Sequence, residues 1–552
     1  MDILSDVRKA IKCTEEKDYK QAEKIYLSIL TQDENNAVIL SFLGLLYLNM
    51  CSFKKAEKFL ERSNNIQHNN ATIEGLGLVK YYLSEFSKAS EYLEIAVKTN
   101  NNFDLYNKLV KSLQEIRLYS KAYQYALECY NKYPLKKEAL SNLAMSCIGG
   151  GRLKEALGYA ERMIKQYPKY DMAWYIFGLM NEILYHNDTV AGECYKNMIK
   201  CGNKAAGYYN LAVNSSKRHN HDKALYYLKK YSKYDSDSAD LNFLKSTQYF
   251  FKRQFKRAYK HYALKEKNTT SFNRASLLKN LWDGKTYKTE TLLVFCDQGI
   301  GDKFMFSRYL PFLTNKFKRI KVYIDKSVIT IFKRSFKQYK NIEFIPFKIR
   351  FPHYDKSVVL SNLPYYLKMS DLNNIPYASC YLEADEKKVQ SYKQHYFNND
   401  KLKVGICWEA GAAGWREQLN RTLNISMFES LFDIENVQYY SLQVKPSLDN
   451  YKQYPDLIDL GSTFKNFDDT AAALKNLDLL VTVDTSVAHL AGALGVKTFM
   501  LLPYCPDWRW FDNDKTTEWY DSVRIFKQKQ PIMWDDVIQG IVDEVTKEVN
   551  SH

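Results

Sequence analysis

Tyr19–Tyr26 reads YKQAEKIY, and variants of this phrase recur down the first half of the chain. They are FKKAEKFL from Phe53, FSKASEYL from Phe86, YSKAYQYA from Tyr119, LKEALGYA from Leu153, TVAGECY from Thr189, HDKALYYL from His221 and FKRAYKHY from Phe255. Each holds an alanine after a polar or basic cluster: Ala22, Ala56, Ala89, Ala122, Ala156, Ala191, Ala224 and Ala258. Their spacings are 34, 33, 33, 34, 35, 33 and 34 residues. A strict period with a small residue at a fixed place requires the same pair of backbones to approach closely again and again.

A period of about 34 residues is that of the tetratricopeptide helix–turn–helix unit. Twelve residues before the alanine, small residues recur at Ala10, Gly44, Gly77, Ala144 and Ala212, where the paired helix must pass close by. Pro134 and Pro168 follow the alanine by twelve and stop the second helix, because proline lacks the amide and clashes with a continuing helix. Asn100–Asn102 suits a turn between repeats. An α-helical array of about eight repeats is expected over 1–275. Such arrays bury their core between neighbours and leave a concave face. That face binds a polypeptide partner, or the array serves to pair copies of the chain or prop up the second half.

The 552 residues have 46% hydrophobic content, enough for packed cores, and a formal charge of +16. Net positive charge favours anionic partners: phosphates, nucleotide sugars or acidic lipids. No block of Lys and Arg and no nucleic-acid-binding motif is present, so nucleic acid is not expected as a partner. The ten cysteines contain no CxxC pair and read as reduced, mostly buried thiols of a cytoplasmic protein. The start, MDILSDVRKAIKC, lacks the apolar core of a signal peptide, and the apolar runs are too short to span a bilayer. Any membrane contact is expected to be peripheral.

After about residue 285 the pattern changes. Thr291–Cys296 (TLLVFC) is a strand, QGIGD a glycine turn, and KFMFSRYLPFL a helix. Arg319–Asp325 is a strand, followed by a basic helix around Ile329–Tyr339 and strand ends in NIEFIPF and KSVVLSNLP. A second unit opens at Lys401–Trp408 (KLKVGICW) and runs through VQYYSLQ, DLIDLG, the helix DDTAAALKNL, the strand DLLVTVD, the helix TSVAHLAGAL and the strand TFMLLP. Alternating strands and helices imply parallel sheets. The expected fold is therefore an α solenoid followed by two α/β lobes of Rossmann type, over 285–385 and 400–552, the second ending in a helix. Polar Glu383–Lys401 is the expected linker.

Ligands of open α/β sheets bind off the carboxyl ends of the strands. Gln298, Gly299, Gly301 and Asp302 lie at one such end, where the glycines permit a tight turn and close approach. Asp302 either accepts a proton from an acceptor hydroxyl or caps the helix. Asp484 ends another strand, and Thr485 and Ser486 open a helix whose free amides and dipole suit a diphosphate. His489, one turn on, lies on the cleft side if Asp484 caps that helix, where it contacts a phosphate or the sugar; the alternative is a structural histidine. Trp408 heads a Gly/Ala loop carrying Arg416 and Arg421, residues suited to forked recognition of phosphate. Gln443 and Lys445 stand at a further strand end. No metal site is expected, since Asp512–Asp514 is formally a D-x-D but falls in a polar loop, and no Walker A sequence or kinase set is seen.

CDQGIGDKFMFSRYLPFL, KVGICWEAG followed by Arg421, YYSLQVKP, FDDTAAALKNLDLLVTVDTSVAHLAGALGVKTFMLLPYCPDWRWF and EWYDSVRIFKQ together resemble glycosyltransferase family 9, the ADP-heptose:lipopolysaccharide heptosyltransferases, and above all its branch with tetratricopeptide repeats. The architecture is also similar to that of O-GlcNAc transferase. The resemblance implies a GT-B fold and metal-independent, inverting transfer from a nucleotide-sugar, with no further cofactor. It implies Asp302 as the base in the acceptor-side lobe. It places the donor diphosphate at Asp484, Thr485, Ser486 and His489. Arg416 or Arg421 stands in for the lysine that the family places near that diphosphate. With the repeats, a protein acceptor is expected, such as a bacterial surface or flagellar protein; a lipopolysaccharide or glycolipid acceptor and an inactive scaffold are the alternatives.

Overall fold

The computed structural model describes residues 3–267, 280–296, 298–347, 351–369, 375–411, 421–446, 449–513 and 515–552. Between Ile3 and Lys267 the described residues form sixteen helices arranged as consecutive pairs. In every pair the recurrent alanine is the fourth residue of the second helix, and all eight alanines are shut off from solvent. The small residue twelve positions earlier has the complementary role. A Cβ on Gly44 would lie 2.5 Å from Leu60 Cγ, and one on Gly77 would lie 2.9 Å from Leu93 Cγ.

The turn inside each repeat is also periodic. Lys17, Cys51, Ser84, Arg117, Gly151, His186, His219 and Arg253 all have positive φ, five residues before the alanine. Only one is glycine, so seven side chains carry the cost of the left-handed region. The bonds Asp18 N–H to Cys13 O and Ser52 N–H to Tyr47 O, both 2.8 Å, close the six-residue ring that ends a helix in this way. Asn36, Asn69 and Asn102 then cap the next repeat's first helix by accepting from Ile39, Thr72 and Asp104 amides. The helices Tyr119–Lys132 and Leu153–Gln166 stop just short of Pro134 and Pro168.

The chain divides into two compact units, at Gly207/Tyr208, so the break falls inside the repeat series. In the second unit the last repeats pack on the α/β region. Phe250 stacks on Trp508 at 4.2 Å, Tyr262 meets the same indole at 5.3 Å, and Arg253 reaches Glu518 (2.5 Å) and Asn513 (2.6 Å). These aromatics are buried, and that burial is why the unit begins before the repeats end.

Two parallel sheets follow. The first has strands β1 (Tyr287–Phe295), β2 (Phe317–Ile324), β3 (Ile342–Pro346) and β4 (Lys356–Val359) in the order β3-β2-β1-β4. The second has β5 (Leu402–Cys407), β6 (Val437–Ser441), β7 (Ile458–Asp459), β8 (Leu479–Val483), β9 (Thr498–Leu502) and β10 (Val523–Lys527) in the order β10-β9-β8-β5-β6-β7. The central strands β8 and β9 are buried along their whole length, as sheets covered on both faces require. The closing helix, Asp535–Ser551, covers the second sheet's core through Val537, Ile538, Ile541 and Val545.

Some elements differ from their sequence reading. The segment read as a linker holds a helix, Glu386–Tyr396, capped by Asp385 and tied to the second sheet's layer by Lys388–Asp469 at 2.6 Å. The stretch KFMFSRYLPFL is broken: a helix covers Ile300–Ser307, and a separate 3-10 turn begins at Leu310, because Pro311 cannot continue the helix. The basic helix ends at Ser335 rather than near Tyr339. Five of the ten cysteines are buried, and burial pushes the thiols of Cys129, Cys147 and Cys407 up to about 12. No described helix is long and apolar enough to cross a membrane.

Gly44→Ala is expected to destabilise the protein by about 1–3 kcal/mol, because the overlap with Leu60 outweighs alanine's better helix propensity. Gly158→Ala, whose Cβ meets nothing within 4 Å, is expected to stabilise by about 1 kcal/mol. Urea unfolding of both variants beside wild type measures the two signs.

Candidate functional site

In the second sheet the chain runs outward from β5 to β7, then crosses back to β8 and proceeds the other way. The crevice at the carboxyl ends of β5 and β8 is thus the topological switch point, the place where such sheets bind ligands. Asp484 follows β8 directly and is buried. It does not cap the next helix. Thr485 does, accepting from the Ala488 amide, so the helix begins at Ser486 and its first amides face the crevice end of the strand. Asp484 is instead ion-paired: Oδ2 lies 3.2 Å from Arg421 Nη1. Arg421 Nε is enclosed and makes no hydrogen bond among the described residues, and Thr422 Oγ1 is in the same state. Arg416 lies outside the described residues.

Gln443, beyond β6, turns back under the β5 loop. Its Oε1 accepts from the amides of Trp408 (3.2 Å) and Glu409 (2.9 Å) and from Cys407 Sγ (3.3 Å). It therefore shapes the strand ends from below. The Trp408 indole is buried in the core of the second sheet, so its side chain packs and only its amide borders the loop. Lys445 is exposed with positive φ on the neighbouring loop.

The first sheet contributes the loop after β1. Gly299 caps the helix Ile300–Ser307, with no side-chain cap bond, so Asp302 is not the cap. Neither Gly299 nor Gly301 adopts positive φ. The missing Cβ of Gly301 serves a contact instead: a Cβ there would sit 2.6 Å from His489 Cδ2. The two motif-bearing helices, Ile300–Ser307 and Ser486–Ala493, thus abut directly. His489 is buried, stacks on Trp510 at 4.9 Å and shares a hydrogen bond with Tyr520 OH (3.0 Å). Burial lowers its pKa to about 4, so the ring is neutral near pH 7. Gln298 sends its carbonyl to the Lys303 ammonium, which also meets Asp325 at 2.9 Å.

Residues missed in the sequence complete the site. Arg509 Nε and Nη2 lie 2.8 and 2.7 Å from Asp302 Oδ1, and its Nη1 lies 2.7 Å from Asp507 Oδ1. Asp302 Oδ2 takes no hydrogen bond among the described residues. Desolvation alone would raise the Asp507 carboxyl, but the Arg509 charge outweighs it and leaves the pKa lowered. Desolvation likewise opposes the charge on Arg509, and Asp302 and Asp507 more than offset it. Arg308 is wholly buried and bonds the carbonyls of Met305 (2.9 Å) and Trp519 (2.8 Å) and the Tyr381 hydroxyl (3.1 Å). The stretch PDWRW, just past β9, carried a usable signal: it is one more acid–arginine pair at the carboxyl end of a parallel strand. Arg308 opens the RYLP stretch, which entered only through the family resemblance.

The chain matches a tetratricopeptide repeat model over residues 14–76. It is 22% identical over 283 residues to protein FlbA of Caulobacter vibrioides, covering 46% of this chain and 46% of FlbA. The chain thus spans less than half the length of that relative. Among solved structures it is similar to a tetratricopeptide repeat protein of Parabacteroides merdae (13% identity, 45% of this chain, 98% of that one, TM-score 0.38). It is also similar to YrrB, described as a TPR protein with an unusual peptide-binding site (18% identity, 37% of this chain, 97% of that one, TM-score 0.29). The N-terminal region is a helical tetratricopeptide solenoid, and parallel sheets follow it.

The buried, neutral His489 sets a pH dependence. Below its unfolded value near 6.5 the unfolded chain takes up a proton that the folded ring refuses until about pH 4. Its contribution to stability is therefore lost as pH falls through that window, by at most about 3 kcal/mol. Urea midpoints of wild type and His489→Gln are expected to converge between pH 7 and 4.5; a constant gap means that the ring protonates freely in the fold.

Proposed function

We propose that the α/β region is a glycosyltransferase that moves a sugar from a nucleotide-sugar to an acceptor hydroxyl, and that the repeats hold a polypeptide acceptor. The observation that carries this reading is the meeting of two strand-end motifs at one crevice. Asp302 comes from the first sheet, and Arg421 with the Thr485–Ser486 helix start comes from the switch point of the second. A carboxylate opposite a helix amino terminus and an arginine suits attack by a hydroxyl on an activated anomeric carbon.

In this reading the diphosphate sits at the free amides of Ser486 and Val487, with the unsatisfied Arg421 Nε as a further donor. The acceptor hydroxyl approaches Asp302 Oδ2, the oxygen that Arg509 leaves open. Asp302 takes the proton as the new glycosidic bond forms and the nucleoside diphosphate departs. The helix amino terminus and Arg421 stabilise that leaving group, the work that a metal does elsewhere. His489, turned onto Gly301 and Tyr520, keeps the two helices in register. Inversion at the anomeric carbon is what the family resemblance implies.

A second reading draws on the same bonds. Asp302 is held by Arg509, Asp484 by Arg421, and His489 is enclosed, an arrangement that also suits an inactive tetratricopeptide scaffold.

A thermal-shift screen against nucleoside diphosphates and nucleotide-sugars separates the two. A ligand that binds only the folded state raises the melting temperature. The enzyme reading expects a shift with one nucleotide, lost on replacing Thr485 and Ser486 with alanine. Asp302→Asn should then keep that shift and lose turnover by about 100-fold or more. No shift with any nucleotide favours the scaffold, and near-normal turnover in Asp302→Asn removes the base role.

A further inference from the structure

The intra-repeat turn between the helices Lys204–Lys217 and His221–Tyr231 carries two histidines, His219 and His221, and it meets Asp512 of the loop beyond β9. One donor atom from each of the three side chains lies within 4.8 Å of the other two. His219 is at the left-handed position of its repeat, with φ 53°, which turns its ring out of the helix.

The hydrogen bonds around Gln248 assign the proton of His221. His221 Nδ1 lies 3.0 Å from Gln248 Oε1. The Gln248 amide nitrogen is already used, donating to Ser216 Oγ (2.9 Å) and Thr247 Oγ1 (3.0 Å), so the atom facing His221 is the oxygen. An amide oxygen only accepts, so His221 Nδ1 bears the proton and Nε2 the lone pair. His221, its Nδ1–H held by an amide carbonyl and its Nε2 bare, is thus the oriented form in which histidine binds metals. His219 Nδ1 lies 2.9 Å from Asp512 Oδ2, so an ion in place of the proton between them is bound by both atoms.

We propose that His219, His221 and Asp512 form a binding site for a divalent transition metal of the zinc class, the class that imidazole and carboxylate favour over hard cations. Three protein ligands leave coordination positions for water. The site does not depend on the glycosyl-transfer reading. Its place in the fold suggests what it does: the ligands are 293 residues apart in sequence, and Asp512 is on the loop that carries Asp507 and Arg509. A bound ion pins that loop to the last repeats beside the Arg253 contacts with Asn513 and Glu518. Lys527, 2.7 Å from Asp512 Oδ1, is the charge that the ion must compete with.

The test uses the full chain, stripped with a chelator and titrated with Zn2+ alone by calorimetry and thermal scanning, and with Co2+ by visible absorption. The expected results are one saturable site, a higher melting temperature, and cobalt d–d bands without a thiolate-to-cobalt charge-transfer band. His221→Ala and Asp512→Asn should each weaken binding by about tenfold or more, the scale of losing a ligand or its orienting partner. Lys527→Met should tighten it. The proposal fails if no saturable binding occurs, if both weakening variants bind as wild type does, or if the thiolate band shows that cysteines hold the ion. The cobalt spectrum of the wild-type protein decides the case even where a variant does not fold.

Discussion

Arg509 lies between Asp302, in the first turn of the helix after β1, and Asp507, on the loop after β9, and so joins the strand ends of two different sheets with one guanidinium. Such a triad has to be complete to be tolerable. Removing water from Asp302 and most of Arg509 is expensive, and the cost is met only when each charge has its partner at hydrogen-bond distance. Everything around the crevice follows from keeping that contact. Gly301 has no side chain so that the His489 ring can lie against its helix, and Trp510, next to Arg509, stacks on the same ring. The geometry of Asp302 is therefore a property of both sheets at once.

Arg308 extends the same logic without a carboxylate. Its charge is met by carbonyl oxygens of Met305 and Trp519, the Tyr381 hydroxyl, and the faces of Tyr381 and Tyr520 at 4.6 and 4.9 Å. These groups come from the first sheet's helix, the segment between the sheets, and the loop before β10. A forked, planar cation can satisfy several fixed carbonyls and stack at the same time, which an ammonium could not do. The residues that tie the sheets together are thus mostly polar groups inside an aromatic shell, and their directional bonds hold one relative placement better than apolar packing alone would.

The repeats obey a simpler rule. One alanine and one left-handed turn residue recur in every repeat, and in most a small residue stands twelve positions before the alanine. The last of these turns do more than close a repeat. At His219 and Arg253 the outward side chains reach Asp512, Asn513 and Glu518, which connects the end of the repeat series with the loop that carries Arg509.

By itself the sequence determined what is local and periodic. The 34-residue spacing of alanines required helix pairs, because only a close backbone approach selects for a small side chain at one fixed place. Alternating apolar runs and turns after residue 285 required parallel strands with helices between them. The loops holding Asp302, Arg421, Asp484 and Thr485 were legible because strand ends are where α/β sheets place polar groups. Only the tertiary structure decided which of these groups meet. It paired Asp302 with Arg509, 207 residues away, turned His489 onto Gly301, and put Trp408 and Gln443 beneath the crevice floor. It also let the second compact unit begin inside the repeat series. The physical reason is common to all of these. Spacing along a chain reports periodic backbone geometry, whereas a contact between distant residues depends on how sheets and helices stack, and no local pattern of residue types encodes that.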